Sequence, residues 1–103
     1  MANVIWKQRL PNPLHEGFAP VLISMPSGAV PLSVADQHGE LTMWLMLDPQ
    51  EPFVTRQFEV IGTGMQMCEL NRKFIGTVLL RAYVWHVFEV LGQQSEEGTN
   101  ERN

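Results

Sequence analysis

Proline placement constrains the fold of this chain more than any other feature of its sequence. All seven prolines lie within the first 52 residues, at positions 11, 13, 20, 26, 31, 49 and 52. Because proline lacks a backbone N–H and disrupts a helix interior, only residues 32–48 leave room in this half for a long helix. The dipeptide His38-Gly39 interrupts that window, and the residues around it alternate as in a hairpin. The first half of the chain is therefore predicted to be extended.

Apolar and alternating segments separated by short turns predict the strands of the protein. These segments are residues 4–10, 18–25, 30–36, 41–47, 53–61, 74–80 and 84–90. Their order, without helices between them, favours an all-β fold, a small antiparallel sandwich or barrel of about seven strands. Residues 65–73 are ambiguous, because Met65, Cys68 and Leu70 fit one helical turn. The alternative is therefore an α+β fold with a short helix at 65–73.

Length and composition predict one folded unit with a polar tail. A chain of 103 residues with 45% hydrophobic residues is shorter than an average domain but apolar enough to fold. Residues 93–103 read QQSEEGTNERN and contain no apolar side chain. Such a segment cannot offset its ordering entropy by burial. We therefore expect a single β domain over residues 1–92 and a disordered tail over residues 93–103.

Charge and cysteine content exclude several classes of partner and site. The net charge is −4, from 11 acidic and 7 basic residues, which argues against binding a long nucleic acid. The single cysteine, Cys68, excludes an internal disulfide and a multi-cysteine zinc site, and it is expected to be a small buried side chain. No apolar run reaches the roughly 18 residues of a membrane span, and the N-terminus lacks the pattern of a signal peptide. We expect a cytoplasmic protein that does not contact a membrane.

The largest side chains and a few cations are the best candidates for ligand contacts. Trp44 and Trp85 lie in apolar strands, so core packing is the first interpretation, and residues 41–47 are predicted to be buried on both faces. The alternative is that either tryptophan stacks on a base or ligand, with Arg56 or Arg81 supplying charge. His86 interrupts an apolar strand face and is predicted to lie at the edge of the core, with one hydrogen bond.

No catalytic, metal or cofactor motif is recognisable. Gly62-Thr63-Gly64 follows a strand, but no Lys-Ser/Thr pair completes a phosphate loop, so a turn or bulge is favoured. The three histidines are far apart in sequence, and no serine elbow is present. Ile61-Gly62-Thr63 recurs as Ile75-Gly76-Thr77, which we interpret as two strand-associated glycines and not as a structural repeat. We expect no catalytic residue, no metal and no cofactor.

Several short segments, taken in order, resemble one known group of proteins. These segments are IWK at 5–7, MPSGA at 25–29, LSV at 32–34, LTMW at 41–44, DP at 48–49, FEVIGTG at 58–64, FIGT at 74–77 and HVFE at 86–89. Their order and spacing resemble a family of short, uncharacterised bacteriophage and prophage proteins, over residues 4–89. The resemblance implies a phage accessory protein in the host cytoplasm, and it implies no catalytic set.

Three functional hypotheses follow from these observations. The first is a noncatalytic phage accessory protein that binds a host protein and interferes with a host system, such as a defence system. The alternatives are a binder or sponge for a small anionic ligand such as a nucleotide, and a minor structural or assembly protein of the virion. Only 17% of residues are charged, so surplus apolar strand faces also predict a homodimer.

Overall fold

The computed structural model describes residues 3–92 and contains seven strands and one short helix. In chain order these are β1 (Val4–Arg9), α1 (Pro13–Glu16), β2 (Val21–Pro26), β3 (Val30–Gln37), β4 (Glu40–Leu47), β5 (Phe53–Gly62), β6 (Arg72–Leu80) and β7 (Tyr83–Val90). The strands form two antiparallel sheets, one ordered β1-β4-β3 and the other β2-β5-β7-β6. The predicted all-β fold with about seven strands is confirmed. No helix among the described residues is long and apolar enough to span a membrane.

The helix of the α+β alternative is absent at the predicted place. Residues 65–71 adopt neither helix nor strand, and β6 begins at Arg72. The one helical turn that the structure describes is α1, in the connection between the first two predicted strands. The Asn12 side chain caps it by accepting a hydrogen bond of 3.0 Å from the Leu14 N–H, and Pro13 occupies the first turn, where its missing N–H costs nothing.

Strand β2 starts three residues later than the sequence predicts. It begins at Val21, immediately after Pro20, which has no N–H to donate to a ladder. Phe18 therefore lies outside the sheet, where 58% of it is exposed. The predicted tail at residues 93–103 lies outside the described residues.

The core fills the space between the two sheets. The three-stranded sheet contributes the alternate residues of β4, which are fully buried. The four-stranded sheet contributes the inward residues of its two central strands. The buried residues from these strands are Leu41, Met43, Leu45, Leu47, Phe58, Val60, Trp85 and Val87. This alternation is the reason that period-two patterning predicts the strands correctly.

The two sheets approach most closely where β3 faces β6. A Cβ placed on Gly76 would lie 2.7 Å from Cγ2 of Val34, so only glycine fits there. Both strands change register near this contact, between Pro31 and Ser33 in β3 and between Phe74 and Gly76 in β6. Such bulges bend strands. We infer that they let the edges of the two sheets meet as a closed corner.

A largely buried ion pair lies on the core face of the four-stranded sheet. Arg56 donates to both carboxylate oxygens of Glu89 over 2.7 and 2.9 Å. A third hydrogen bond of 2.6 Å runs from Arg56 to the backbone carbonyl of Ala29. The guanidinium therefore ties β5 and β7 to the start of β3, and this pairing compensates the burial of both charges.

Candidate functional site

The structure separates the residues that the sequence singles out for ligand contacts. Trp44 lies on the outer face of the three-stranded sheet, whereas Trp85 and His86 lie on opposite faces of β7 in the other sheet. Arg56 is engaged by Glu89. Arg81 occupies the turn between β6 and β7, with its guanidinium beside Gly39. The proposed combination of a tryptophan platform with Arg56 is therefore not assembled.

The two tryptophans occupy different environments. Trp85 is 2% exposed and belongs to the core. Its indole Nε1 is buried and has no hydrogen-bond partner among residues 3–92. Trp44 and Met46, on the outer face of β4, are both partly exposed, whereas Thr42 on the same face is buried. The prediction that residues 41–47 are buried on both faces is therefore wrong for these two side chains.

A concave apolar surface lies at one end of the four-stranded sheet. We call it the Phe18 groove, a depression of about 460 Å³. It is lined by Leu14, Phe18, Gly62, Thr63, Met65, Ala82, Tyr83, Val84 and Trp85. Phe18 is 58% exposed and Tyr83 is 52% exposed, although both are large aromatic side chains. Ligand and partner sites are typically concave and apolar with a few placed polar groups, which is the composition found here.

Local hydrogen bonds position the first wall of the groove. Arg9 donates to both carboxylate oxygens of Glu16 over 2.8 and 2.9 Å, which fastens α1 to the end of β1. The Asn12 N–H also donates to Glu16 over 3.3 Å. These interactions lower the pKa of Glu16 to about 2, with the hydrogen bond from Arg9 as the largest cause. The ion pair thus holds the segment that carries Leu14 and Phe18.

The second wall is the turn that follows β5. Gly64 has φ +91°, and the turn closes with a 3.0 Å hydrogen bond from the Met65 N–H to the Gly62 carbonyl. A Cβ on Gly62 would lie 3.1 Å from both the Met65 sulfur and the Trp85 ring, so the absence of a side chain lets these residues close the wall. The prediction of a turn at Gly62-Thr63-Gly64 is confirmed.

Thr63 supplies the polar group of the groove, and His86 is its hydrogen-bond partner. Oγ1 of Thr63 is 2.8 Å from Nε2 of His86, and Oγ1 of Thr77 is 2.9 Å from Nδ1. A neutral imidazole has one donor and one acceptor nitrogen, so one threonine hydroxyl donates to the ring and the other accepts from it. His86 therefore has two hydrogen bonds, not the single one predicted, and it lies on the outer sheet face.

The repeated Ile-Gly-Thr triplet has a structural meaning that sequence reasoning missed. In the register of the sheet, Ile61 of β5 and Thr77 of β6 lie directly opposite His86 from its two sides. The two triplets therefore place Thr63 and Thr77 on either side of the imidazole. The recurrence of the triplet was visible in the sequence, but its link to His86 required the strand order.

A smaller cavity of about 220 Å³ adjoins the groove and shares Phe18 and Met65 with it. Pro11, Pro13, Pro20 and Met67 also line it. Cys68 is part of this wall and is exposed, so the expectation of a buried cysteine is wrong. Thioether side chains adapt to different partner shapes, which suits a surface that receives an apolar group.

The chemistry of the two cavities favours binding of uncharged groups. In the described part of the chain, their only charged lining residue is Glu59, which is paired with Arg72. Within residues 3–92, no group of three or more histidine, cysteine, aspartate or glutamate side chains is arranged to hold a metal ion. The surface presents apolar walls and the Thr63 hydroxyl, and we therefore regard it as the candidate functional site.

Comparison with known proteins gives one result. A family model described as a domain of unknown function, DUF7352, matches residues 1–98. The chain belongs to the DUF7352 family. This match confirms the resemblance to an uncharacterised family and leaves its phage origin as a proposal. No curated protein and no solved structure matches this DUF7352 protein.

Proposed function

We propose that this DUF7352 protein is a noncatalytic phage accessory protein that binds a host protein in the host cytoplasm and thereby interferes with a host system. The observation that carries the binding role is the Phe18 groove, which exposes Phe18, Tyr83, Leu14 and Met65 at one end of the fold. The resemblance of the sequence to short phage and prophage proteins supports the host context.

The groove favours an apolar segment of a protein as its occupant. Aromatic residues and methionine are enriched in protein interfaces, and charged residues are depleted at interface centres. The groove has this composition, since Phe18, Tyr83, Trp85 and Met65 line it and no charged residue does so in the part of the chain that is described. The adjoining cavity extends the apolar surface beyond Phe18 and Met65. A leucine, phenylalanine or tryptophan of the host protein would enter the groove, and its backbone would reach the Thr63 hydroxyl.

Paired capture experiments test this proposal. Host lysate is passed over immobilised wild-type protein, Phe18→Ser and Tyr83→Ser, with Leu79→Ser as the matched control. Leu79 is 66% exposed but lies outside the groove, so its substitution changes surface hydrophobicity without changing the site. We expect a host protein to bind wild type and Leu79→Ser and to be lost from both groove variants.

Affinity measurements with the captured protein complete the test. Truncating an aromatic hot spot costs about 2 kcal/mol or more, so Phe18→Ser should weaken binding roughly 30-fold. Equal affinity for wild type and both groove variants would reject the groove as the binding surface. Recovery of the protein in purified virions, without a groove-dependent host partner, would favour the structural alternative.

The volume of the groove supports a second candidate function, a small-ligand binder. Ligand pockets typically measure about 300–1,000 Å³, and the groove, at about 460 Å³, lies in that range. A thermal-shift screen should include nucleotides and uncharged aromatic compounds. A ligand at 100 times its Kd adds about 2.7 kcal/mol of stability. The lining predicts that uncharged compounds give the larger shifts, and a shift with nucleotides alone would instead support the anionic-ligand hypothesis.

A further inference from the structure

The two sheets have four edge strands, and the fold covers only two of them. β3 and β6 face each other at the corner where Val34 meets Gly76. β1 and β2 are the remaining edges, and neither has a strand hydrogen-bonded to its outer side within residues 3–92. An open edge presents unpaired backbone N–H and C=O groups, which can add another strand.

The two open edges differ in charge. β1 contains Lys7 and Arg9, and charged side chains on an edge, lysine above all, oppose pairing with another chain. β2 has the sequence VLISMP and contains no charge over its whole length. Its ends are limited by Pro20 and Pro26, which leave Val21 to Met25 free to pair. β2 is therefore the less protected of the two open edges.

We propose that two copies of this chain pair through β2, antiparallel and around a two-fold axis. The four-stranded sheets of the two copies would then join into one continuous sheet of eight strands. Side chains alternate between the two faces of a strand. If the core faces of both copies lie on the same side of the joined sheet, odd-numbered residues of one β2 lie opposite odd-numbered residues of the other, and even-numbered residues lie opposite even-numbered ones. A pair centred on Ile23 places Leu22 of one copy opposite Ser24 of the other.

The chemistry of β2 favours a second copy as its occupant. Leu22 is 65% exposed on the outer face of the sheet, and its neighbour Ser24 is also exposed. When two copies of β2 pair, every residue lies opposite an uncharged residue of the other copy, and Leu22 is covered in each copy. Self-pairing of β1 would instead bring Lys7 and Arg9 of one copy close to the same residues of the other, which is destabilising.

This inference is independent of the proposed function. No residue of β2 lines the Phe18 groove, and Val21 is the one residue of β2 that lines the adjoining cavity, so substitutions at Leu22 and Ser24 leave the lining of both cavities unchanged. Loss of the dimer and loss of host-protein capture are therefore separate outcomes.

Sedimentation equilibrium of the full chain at micromolar concentration tests the proposal. We expect a species with twice the monomer mass of 11.7 kDa. Ser24→Lys introduces a charge on the outer face of β2 and should weaken self-association at least tenfold. Ser33→Lys is the matched control, because Ser33 is an exposed serine on the outer face of β3. Leu22→Lys provides a second disrupting variant if Ser24→Lys lowers the Tm.

Hydrogen exchange identifies the strand that mediates pairing. Outward-directed amides of β2 should become protected as concentration rises, whereas those of β1 should exchange at a constant rate. A wild-type protein that remains monomeric would overturn the proposal. So would a dimer that both β2 variants leave intact, or one whose formation protects β1.

Discussion

Two polar clusters, each with one residue on β7, have different roles. One stabilises the fold, and the other lies beside the Phe18 groove. Arg56 and Glu89 pair between the sheets, and the guanidinium also binds the Ala29 carbonyl. Thr63, His86 and Thr77 form their cluster on the outer face of the same sheet. The inner cluster connects β5, β7 and the start of β3, whereas the outer one connects strands that the sheet already joins. The inner cluster therefore holds the fold, and the outer one places the hydroxyl group of Thr63 at the groove.

Removing one partner of the inner cluster gives the largest expected effect. Glu89→Ala leaves the Arg56 charge, on a side chain that is 17% exposed, without its carboxylate, and breaking a largely buried ion pair costs up to about 3–5 kcal/mol of unfolding free energy. Chemical denaturation measures this loss. The matched control is Glu16→Ala, which removes a bidentate carboxylate from an exposed arginine, Arg9, and should lower the unfolding free energy far less, because solvent screens an exposed pair. Equal losses of unfolding free energy for the two variants would show that burial does not determine how much an ion pair stabilises this protein.

The same distinction applies to the tryptophans. Trp85→Ala empties a core position, and substitutions of this kind cost about 3–5 kcal/mol. Trp44→Ala removes a partly exposed side chain from the outer face and should cost clearly less. Urea denaturation of both variants gives the two values. A larger loss for Trp44→Ala would mean that a partner copy or another chain covers that face.

Sequence reasoning predicted the strands but not which faces they bury. Prolines and period-two alternation locate β3 to β7 to within about two residues, because both signals act locally. The partial exposure of Trp44 could not be predicted, since it depends on how far side chains from neighbouring strands cover the outer face. The cap formed by Asn12 and Pro13 was readable, because an asparagine before a proline is a local signal for a helix start.

The candidate site was less predictable than the fold. His86 was singled out as a polar residue in an apolar strand, and the structure gives it two partners. Those partners come from β6 and from the turn after β5, so their positions depend on strand order and register. Phe18 was assigned to a strand, although the neighbouring Pro20 indicates where that strand begins.

Perturbing the outer cluster should affect stability little. Thr77→Val removes one hydrogen bond from His86 while keeping a β-branched side chain in β6, so the unfolding free energy should change by no more than about 1 kcal/mol. The ¹⁵N chemical shift of Nδ1 should nevertheless change, because that nitrogen loses its hydroxyl partner. A loss comparable to that of Glu89→Ala would show that the outer cluster also holds the fold.

The exposed ion pair between Arg9 and Glu16 gives the smallest expected effect on stability, but it can be tested at a single titrating group. Its hydrogen bonds lower the pKa of Glu16 to about 2 from its ordinary value of 4.5. A depressed carboxyl pKa means that the pair contributes fully above pH 4.5 and that the contribution is lost as pH falls through about 2. Carboxyl ¹³C titration should show this value at low salt, and Arg9→Gln should return it towards 4.5. High salt should do the same in part, because the pair is solvent-exposed and therefore screened. If Glu16 titrates normally in the wild-type protein, α1 is not fastened to β1 in solution, and the first wall of the Phe18 groove is free to move.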